Sequence, residues 1–130
     1  MSDLNDLTGR IALVTGADVA IHFHSQAPRA DEVASEVEDL GRRTITTHGD
    51  LTRAADVARV AEDVARRLGP IGILVNNAGG LLGRHSVVEM TEDFFQSVMN
   101  VNALSTFLCT RAIAPGMIDR QGGALSLIHI

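Results

Sequence analysis

The chain contains no tyrosine and no lysine; all 11 of its basic side chains are arginines. A phenol tuned by a neighbouring ammonium, one common acid/base pair, therefore cannot be assembled from these 130 residues. Cys109 is the single cysteine, so no internal disulfide can form. A reducing compartment suits such a chain, with Cys109 as a small packed hydrophobe. No apolar run approaches the roughly 20 residues that a membrane span needs. The polar first ten residues lack the apolar stretch of a secretory leader. The cytoplasm is thus the expected compartment. Arg42 and Arg43 are the nearest approach to a basic stripe and read as flanking a strand, which argues against a nucleic-acid partner. No group of residues reads as a metal site. Acidic residues number 16 against 11 basic, a net charge of −5, and lie scattered, as solvated faces rather than as a tail.

What is present is a hydrophobic share of 45% over 130 residues, enough for one domain with a real core. Short apolar runs alternate with helical patterns. Residues 11–14 and 19–23 read as strands, and residues 29–40 as a helix with Val33, Val37 and Leu40 on one face, stopped by Gly41. A strand over 43–47 follows. Thr52 is placed to cap a helix carrying Val57, Val60, Ala61, Val64 and Leu68, which Gly69-Pro70 end. Residues 71–75 form another apolar strand. Thr91 caps a long helix reaching about Ile113, and Gly122-Gly123 lead into a last strand-like stretch, 124–130. Such alternation means crossover connections and a mostly parallel sheet, an α/β fold of the doubly wound, Rossmann-like type. Strands apolar on both faces belong in its middle, under helices.

In an open α/β sheet, ligands bind beyond the carboxyl ends of the strands. Three such ends carry unusual turn chemistry. Thr15-Gly16-Ala17 suits a backbone approach to a pyrophosphate, since glycine has no Cβ, though any strand-to-turn junction can hold Thr-Gly. Asp50 is placed to accept a hydrogen bond from an adenine amino group, or equally to cap a turn. Asn76-Asn77-Ala78-Gly79-Gly80 ends a buried strand with amides that must find partners. Asn102 lies on the helical stripe with Val98 and Ser105, where a neighbouring backbone group could satisfy it.

Leu-Val-Thr-Gly-Ala (13–17), Gly-Asp-Leu-Thr (49–52), Leu-Val-Asn-Asn-Ala-Gly-Gly (74–80) and Met-Asn-Val-Asn-Ala (99–103) occur in that order. Together, from about Thr8 to Ala124, they resemble the short-chain dehydrogenase/reductase family, and within it the 3-oxoacyl carrier-protein reductases. The resemblance implies that Thr15 and Gly16 begin the phosphate loop, and that Asp50 and Leu51 hold the adenine. Asn77, Ala78 and Gly79 would line the cofactor trough, and Asn102 would be the catalytic asparagine anchoring a proton-relay water. It implies hydride transfer between nicotinamide C4 and a carbonyl or alcohol carbon of a small-molecule substrate. It also implies a homo-oligomer built through the 92–113 helix. Where NAD-binding members carry an acid at the end of the second strand, this chain has His22-Phe23-His24-Ser25-Gln26, with Arg29 nearby; His24 and Ser25 at that position lean toward NADP.

Two departures stand against that pattern. Only residues 15–18 separate the first two strands, where a parallel crossover needs about a dozen or more, so an internal deletion of the first crossover helix is expected. Leu125–Ile130 leave the pattern before the family's serine, tyrosine and lysine, and are expected to be a tail foreign to the domain; one frame of a transposon end encodes them. The chain is therefore expected to be a single partial nucleotide-binding domain over 1–130, inactive as it stands. Rival readings are a nucleotide-binding module without turnover, a dimerisation module using the 92–113 helix, and a fragment without a stable fold.

Overall fold

The computed structural model describes residues 17–127. The expected strand over 11–14, with Thr15 and Gly16 at its end, lies outside the described residues, and so does 128–130. Among the described residues the order of elements is β1 (Val19–Phe23), α1 (Ala27–Asp39), β2 (Thr44–His48), α2 (Ala54–Leu68), β3 (Ile73–Asn76), α3 (Glu92–Met99), a π-turn (Asn100–Leu104), α4 (Ser105–Asp119) and β4 (Ala124–Leu127).

All strand pairing is parallel, as the alternation of elements requires. β1 pairs with β2, Val19 opposite Thr44 through Phe23 opposite His48; β3 pairs with β4, Ile73 opposite Ala124 through Asn76 opposite Leu127. The start of the first pair is pinned by Asp18. Its carboxylate accepts from the Arg43 backbone amide at 3.1 Å and from the guanidinium at 2.9 and 2.5 Å. That guanidinium holds the Asp18 carboxyl below its ordinary range. The second pair starts with the Ala124 amide on the Gly72 carbonyl, 2.9 Å.

Helix ends follow local chemistry. Past α1, Gly41 sits at φ 75°, its amide on the Glu38 carbonyl and the Arg42 amide on that of Val37. This is the Schellman closure that glycine enters without a Cβ penalty. α4 closes in the same way, with Gln121 at φ 54° in the left-handed position and its amide on the Ile118 carbonyl. Thr91 caps α3 as expected, accepting from the Phe94 amide at 3.2 Å.

Three expectations need correction. Thr52 does not cap α2: Arg53 occupies the cap position, and the Thr52 hydroxyl donates to Asp50 instead. The long helix does not stop near Ile113. Pro115 lies on its exposed side, and α4 continues to Asp119 because the tertiary contacts of Met117, which is buried, outweigh one missing amide. The α1 stripe is not covered, since Val33 and Leu40 are exposed and only Ala30 is buried.

The core lies between α2 and α4. Val57, Leu108 and Cys109 are buried together, with Leu51, Leu74 and Leu104 packed against them. That cluster draws the turn after β2, strand β3 and the π-turn onto one centre. The single, mostly parallel sheet expected from the sequence is not formed among the described residues: β1–β2 and β3–β4 are two separate two-stranded sheets.

Candidate functional site

The turn after β2 is built by two aspartates and a glycine. Gly49 is buried so closely against α2 that a Cβ there would meet Val60 Cγ2 at 3.0 Å and Arg59 Nη2 at 3.2 Å. Its carbonyl accepts from His22 Nε2 at 2.8 Å, which ties the turn to β1. Burial pushes the His22 imidazole below its usual range, so it sits there neutral, with the proton on Nε2. The Asp50 amide donates to Asp56 Oδ2 at 2.8 Å, a bond that lowers the Asp56 carboxyl.

Asp50 Oδ1 accepts twice from Thr52, from its amide at 2.9 Å and its hydroxyl at 2.6 Å. These bonds hold the Asp50 carboxyl below its ordinary range, so it is anionic at neutral pH. The capping reading of Asp50 is therefore correct for Oδ1. Both bonds fall on one oxygen, and a carboxylate has about four acceptor positions. Oδ2 meets no donor among the described residues and can accept one more hydrogen bond, as an adenine amino group would require.

His24 and Ser25 lie exposed at the end of β1. The His24 ring stacks on His48, with centroids 6.2 Å apart and planes 11° from parallel, and Phe23 tilts against the same His48 at 5.4 Å. Reading the sequence had singled out His24 without His48. The available signal was a histidine at the end of β2 and another just past the end of β1.

After β3, Asn76 Nδ2 donates to Thr110 Oγ1 at 3.3 Å, giving the first of the paired asparagines its partner on α4. Asn77 is half-buried, Ala78 exposed, and Gly79 and Gly80 half-buried. The loop is held by Asn102, which projects from the π-turn. Asn102 Oδ1 accepts from the Gly80 amide at 2.9 Å, and its Nδ2 donates to the Gly80 carbonyl at 2.8 Å and to Val98 O at 2.9 Å. An amide group pairing with both backbone groups of one residue fixes that residue's orientation as a second strand would. Asn102 is exposed rather than buried on the helical stripe, and a neighbouring backbone group, Val98 O, does accept from it as the periodicity suggested. The partner that reading the sequence missed is Gly80. Gly79 must be glycine in this arrangement, because a Cβ would lie 2.7 Å from Asn102 Oδ1.

The arrangement thus offers, at the carboxyl ends of parallel strands, a carboxylate with a spare acceptor, two exposed imidazoles and a glycine loop clamped from below. These fit the adenosine end of a dinucleotide. Thr15 and Gly16, implied for the pyrophosphate, lie outside the described residues.

Residues 9–128 match the family described as short chain dehydrogenase. The match runs past Ala124, where the sequence pattern had been expected to end. The chain is 38% identical over 123 residues to the (5R,7aS)-5-hydroxy-7a-methyl-1-oxo-2,3,5,6,7,7a-hexahydro-1H-indene-carboxyl-CoA reductase of Mycobacterium tuberculosis, covering 94% of this chain and 46% of that one. It is 26% identical over 138 residues to a 2-dehydro-3-deoxy-D-gluconate 5-dehydrogenase of Formosa agariphila, covering 93% and 52%. The chain spans about half the length of these curated relatives. The 138-residue alignment is longer than the 130-residue chain, so that relative carries residues with no counterpart here. Among solved structures, a gluconate 5-dehydrogenase of Burkholderia cenocepacia in complex with NADP and tartrate superposes with a TM-score of 0.75 at 28% identity, over 86% of this chain and 43% of that one. The fold is accordingly Rossmann-like α/β, present in part.

Proposed function

Because the chain belongs to the short-chain dehydrogenase family, we propose that these residues form the cofactor-binding half of an NAD(P)-dependent oxidoreductase. NADP is the preferred cofactor. When bound, the cofactor supplies a hydride at nicotinamide C4 for exchange with a carbonyl or alcohol carbon. Asp50 Oδ2 accepts from the adenine amino group, and Leu51 packs against the ring. His24 and Ser25 lie beside the ribose bearing the 2′-phosphate. Asn77, Ala78 and Gly79 line the trough, Thr15 and Gly16 open the phosphate loop, and Asn102 belongs to the catalytic set. Within the family, the motifs at 13–17, 49–52, 74–80 and 99–103 support a proposed kinship with the 3-oxoacyl carrier-protein reductases.

The observation that carries this reading is the Asn102–Gly80 pairing, which holds the glycine loop after β3 in one orientation. Support for a missing crossover comes from the mere four residues between Val14 and Val19. With neither tyrosine nor lysine among the 130 residues, the chain by itself binds and does not turn over. Residues 1–130 act as one partial domain, and the foreign origin we propose for 125–130 has to accommodate the pairing of Leu125–Leu127 with β3 and a family match that reaches residue 128. The 92–113 helix is the face through which copies of the complete protein associate. No helix among the described residues is long and apolar enough to cross a membrane, and we place the protein in the cytoplasm.

Titrating the chain into NADPH and NADH, followed by nicotinamide fluorescence, tests the reading. Saturable binding without oxidation of the reduced cofactor, across a panel of small carbonyl compounds, is the expected result. No binding of either nucleotide would overturn the proposal, and turnover would overturn the inactivity.

A further inference from the structure

Among the described residues the two strand pairs are joined by helices and by no strand ladder. α2 leaves β2, lies on β2 and also on β1, and packs against α4, which lies on β3. The chain therefore crosses back over β1 on its way to β3, and β3 stands beyond β1 rather than beyond β2. One strand between them would make a single parallel sheet in the order β2, β1, strand, β3, β4. Neither bordering edge is guarded against pairing. Val19–Phe23 and Ile73–Asn76 hold no proline, no arginine and no carboxylate, and Ile73 and Val75 stand exposed.

Ile11-Ala12-Leu13-Val14 has the composition that place requires, apolar at every position as central parallel strands are. Its own chain cannot deliver it there. Lying beside β1 and parallel to it, the segment would have to return from Val14 to Val19 through residues 15–18, back along the length of a strand. Asp18 is already committed to the start of β1 by its bonds with the Arg43 amide and guanidinium, at 3.1 and 2.9 Å. Fully extended, the link from Val14 to Val19 reaches about 17 Å. A strand of this size is itself ~13–16 Å long, so nothing remains for the reversal needed at each end. The short link forbids return to the same sheet and does not forbid entry into the sheet of a second copy.

We propose that residues 11–14 of one copy form the central strand of a second copy, between its β1 and β3, and that the second copy returns the exchange. The smallest folded species is then a strand-swapped dimer. Reciprocal exchange of one identical element closes the assembly, and a short hinge is the feature that drives it. The proposal rests on strand edges and link length and is independent of the cofactor reading. The competing arrangement within one chain is a hairpin, with 11–14 antiparallel to β1 and residues 15–18 as its loop. Every strand pair described is parallel, and the 11–14 run does not alternate as a hairpin strand with one wet face does. A hairpin leaves a monomer, so the two arrangements differ in mass.

The experiment is sedimentation of the full chain on progressive dilution, beside a variant with about a dozen Gly and Ser residues inserted between Gly16 and Ala17, the length a parallel return requires. The parent is expected to persist as a species of twice the chain mass, and the lengthened variant to fall to one chain mass, because its strand can return to its own sheet. Association through the exposed apolar faces does not depend on that link. A dimer that survives the insertion therefore overturns the proposal, and so does a parent that dilutes to a monomer. Should the lengthened variant fail to fold, a second measurement decides. Light chains carrying Arg10→p-benzoylphenylalanine, beside the strand, are unfolded and refolded with heavy-isotope chains and then irradiated. Cross-links from light residue 10 to heavy peptides containing β1 or β3 are expected. Cross-links to β1 or β3 within light chains alone, or none to either strand, overturn the exchange.

Discussion

Replacing Asn102 by alanine removes three hydrogen bonds at once, two to Gly80 and one to Val98. Since the side chain is exposed, water can replace those partners, and the cost to stability should be near the lower end of ~1–3 kcal/mol. The larger effect is expected on binding, because the loop over 77–80 loses its fixed orientation. Asn102→Asp should be worse than Asn102→Ala, since a carboxylate oxygen would then face two carbonyls where an amide now donates. Cofactor titration and chemical denaturation of the two variants read these effects separately; an aspartate variant that binds as well as the parent would remove the clamp from the account. His22 gives a second residue-scale prediction. Its folded-state pKa is lowered by burial, so the unfolded chain takes up this proton first as pH falls. The stability contributed by a neutral His22 is therefore complete above the unfolded value of about 6.5, and is lost as pH drops below it. Thermal midpoints measured across that window should fall toward acid in the parent and fall less in His22→Gln, which can still donate to Gly49.

The elements are held by a few closures that the chain order makes possible, and one of them is imperfect. The end of α4 puts Gln121 at φ 54°, where a side chain costs about 1 kcal/mol, with Gly122 one position too late to relieve it. Gln121→Gly should stabilise the chain by ~1 kcal/mol, seen as a higher denaturation midpoint at unchanged slope, whereas Gly41→Ala at the end of α1 should destabilise it by a similar amount. Thr91 and the α3 boundary were readable in the sequence because a cap is a local event. The break between α3 and α4 was not. The π-turn carries Asn102, whose partner Gly80 lies 22 positions earlier in the chain, and periodicity carries no trace of that partner.

As a whole the chain is thinly covered. Among the described residues no large side chain is fully buried, while Val87, Val88, Leu40, Ile118, Phe107 and Phe95 stand more than half exposed. Leu125, Leu127, Ile73 and Val75 of the β3–β4 pair are likewise exposed. Apolar surface of this extent promotes association. Sedimentation over a range of concentrations should show mass rising with concentration, together with strong binding of a hydrophobic dye. A sharp monomer that binds no dye would contradict that expectation.

Chain order alone determined the α/β class, the parallel pairing and the strand ends that bear the polar residues, because alternating periodicities admit few other arrangements. It also determined that no phenol–ammonium pair exists here, since composition cannot be altered by folding. Only tertiary structure decided that His24 meets His48 and that Asn102 grips Gly80. Those facts depend on how separate segments meet around Val57, Leu108 and Cys109. A hydrogen bond between residues 22 or more apart leaves no periodic signature. It exists only after packing has brought its two ends within about 3 Å of each other.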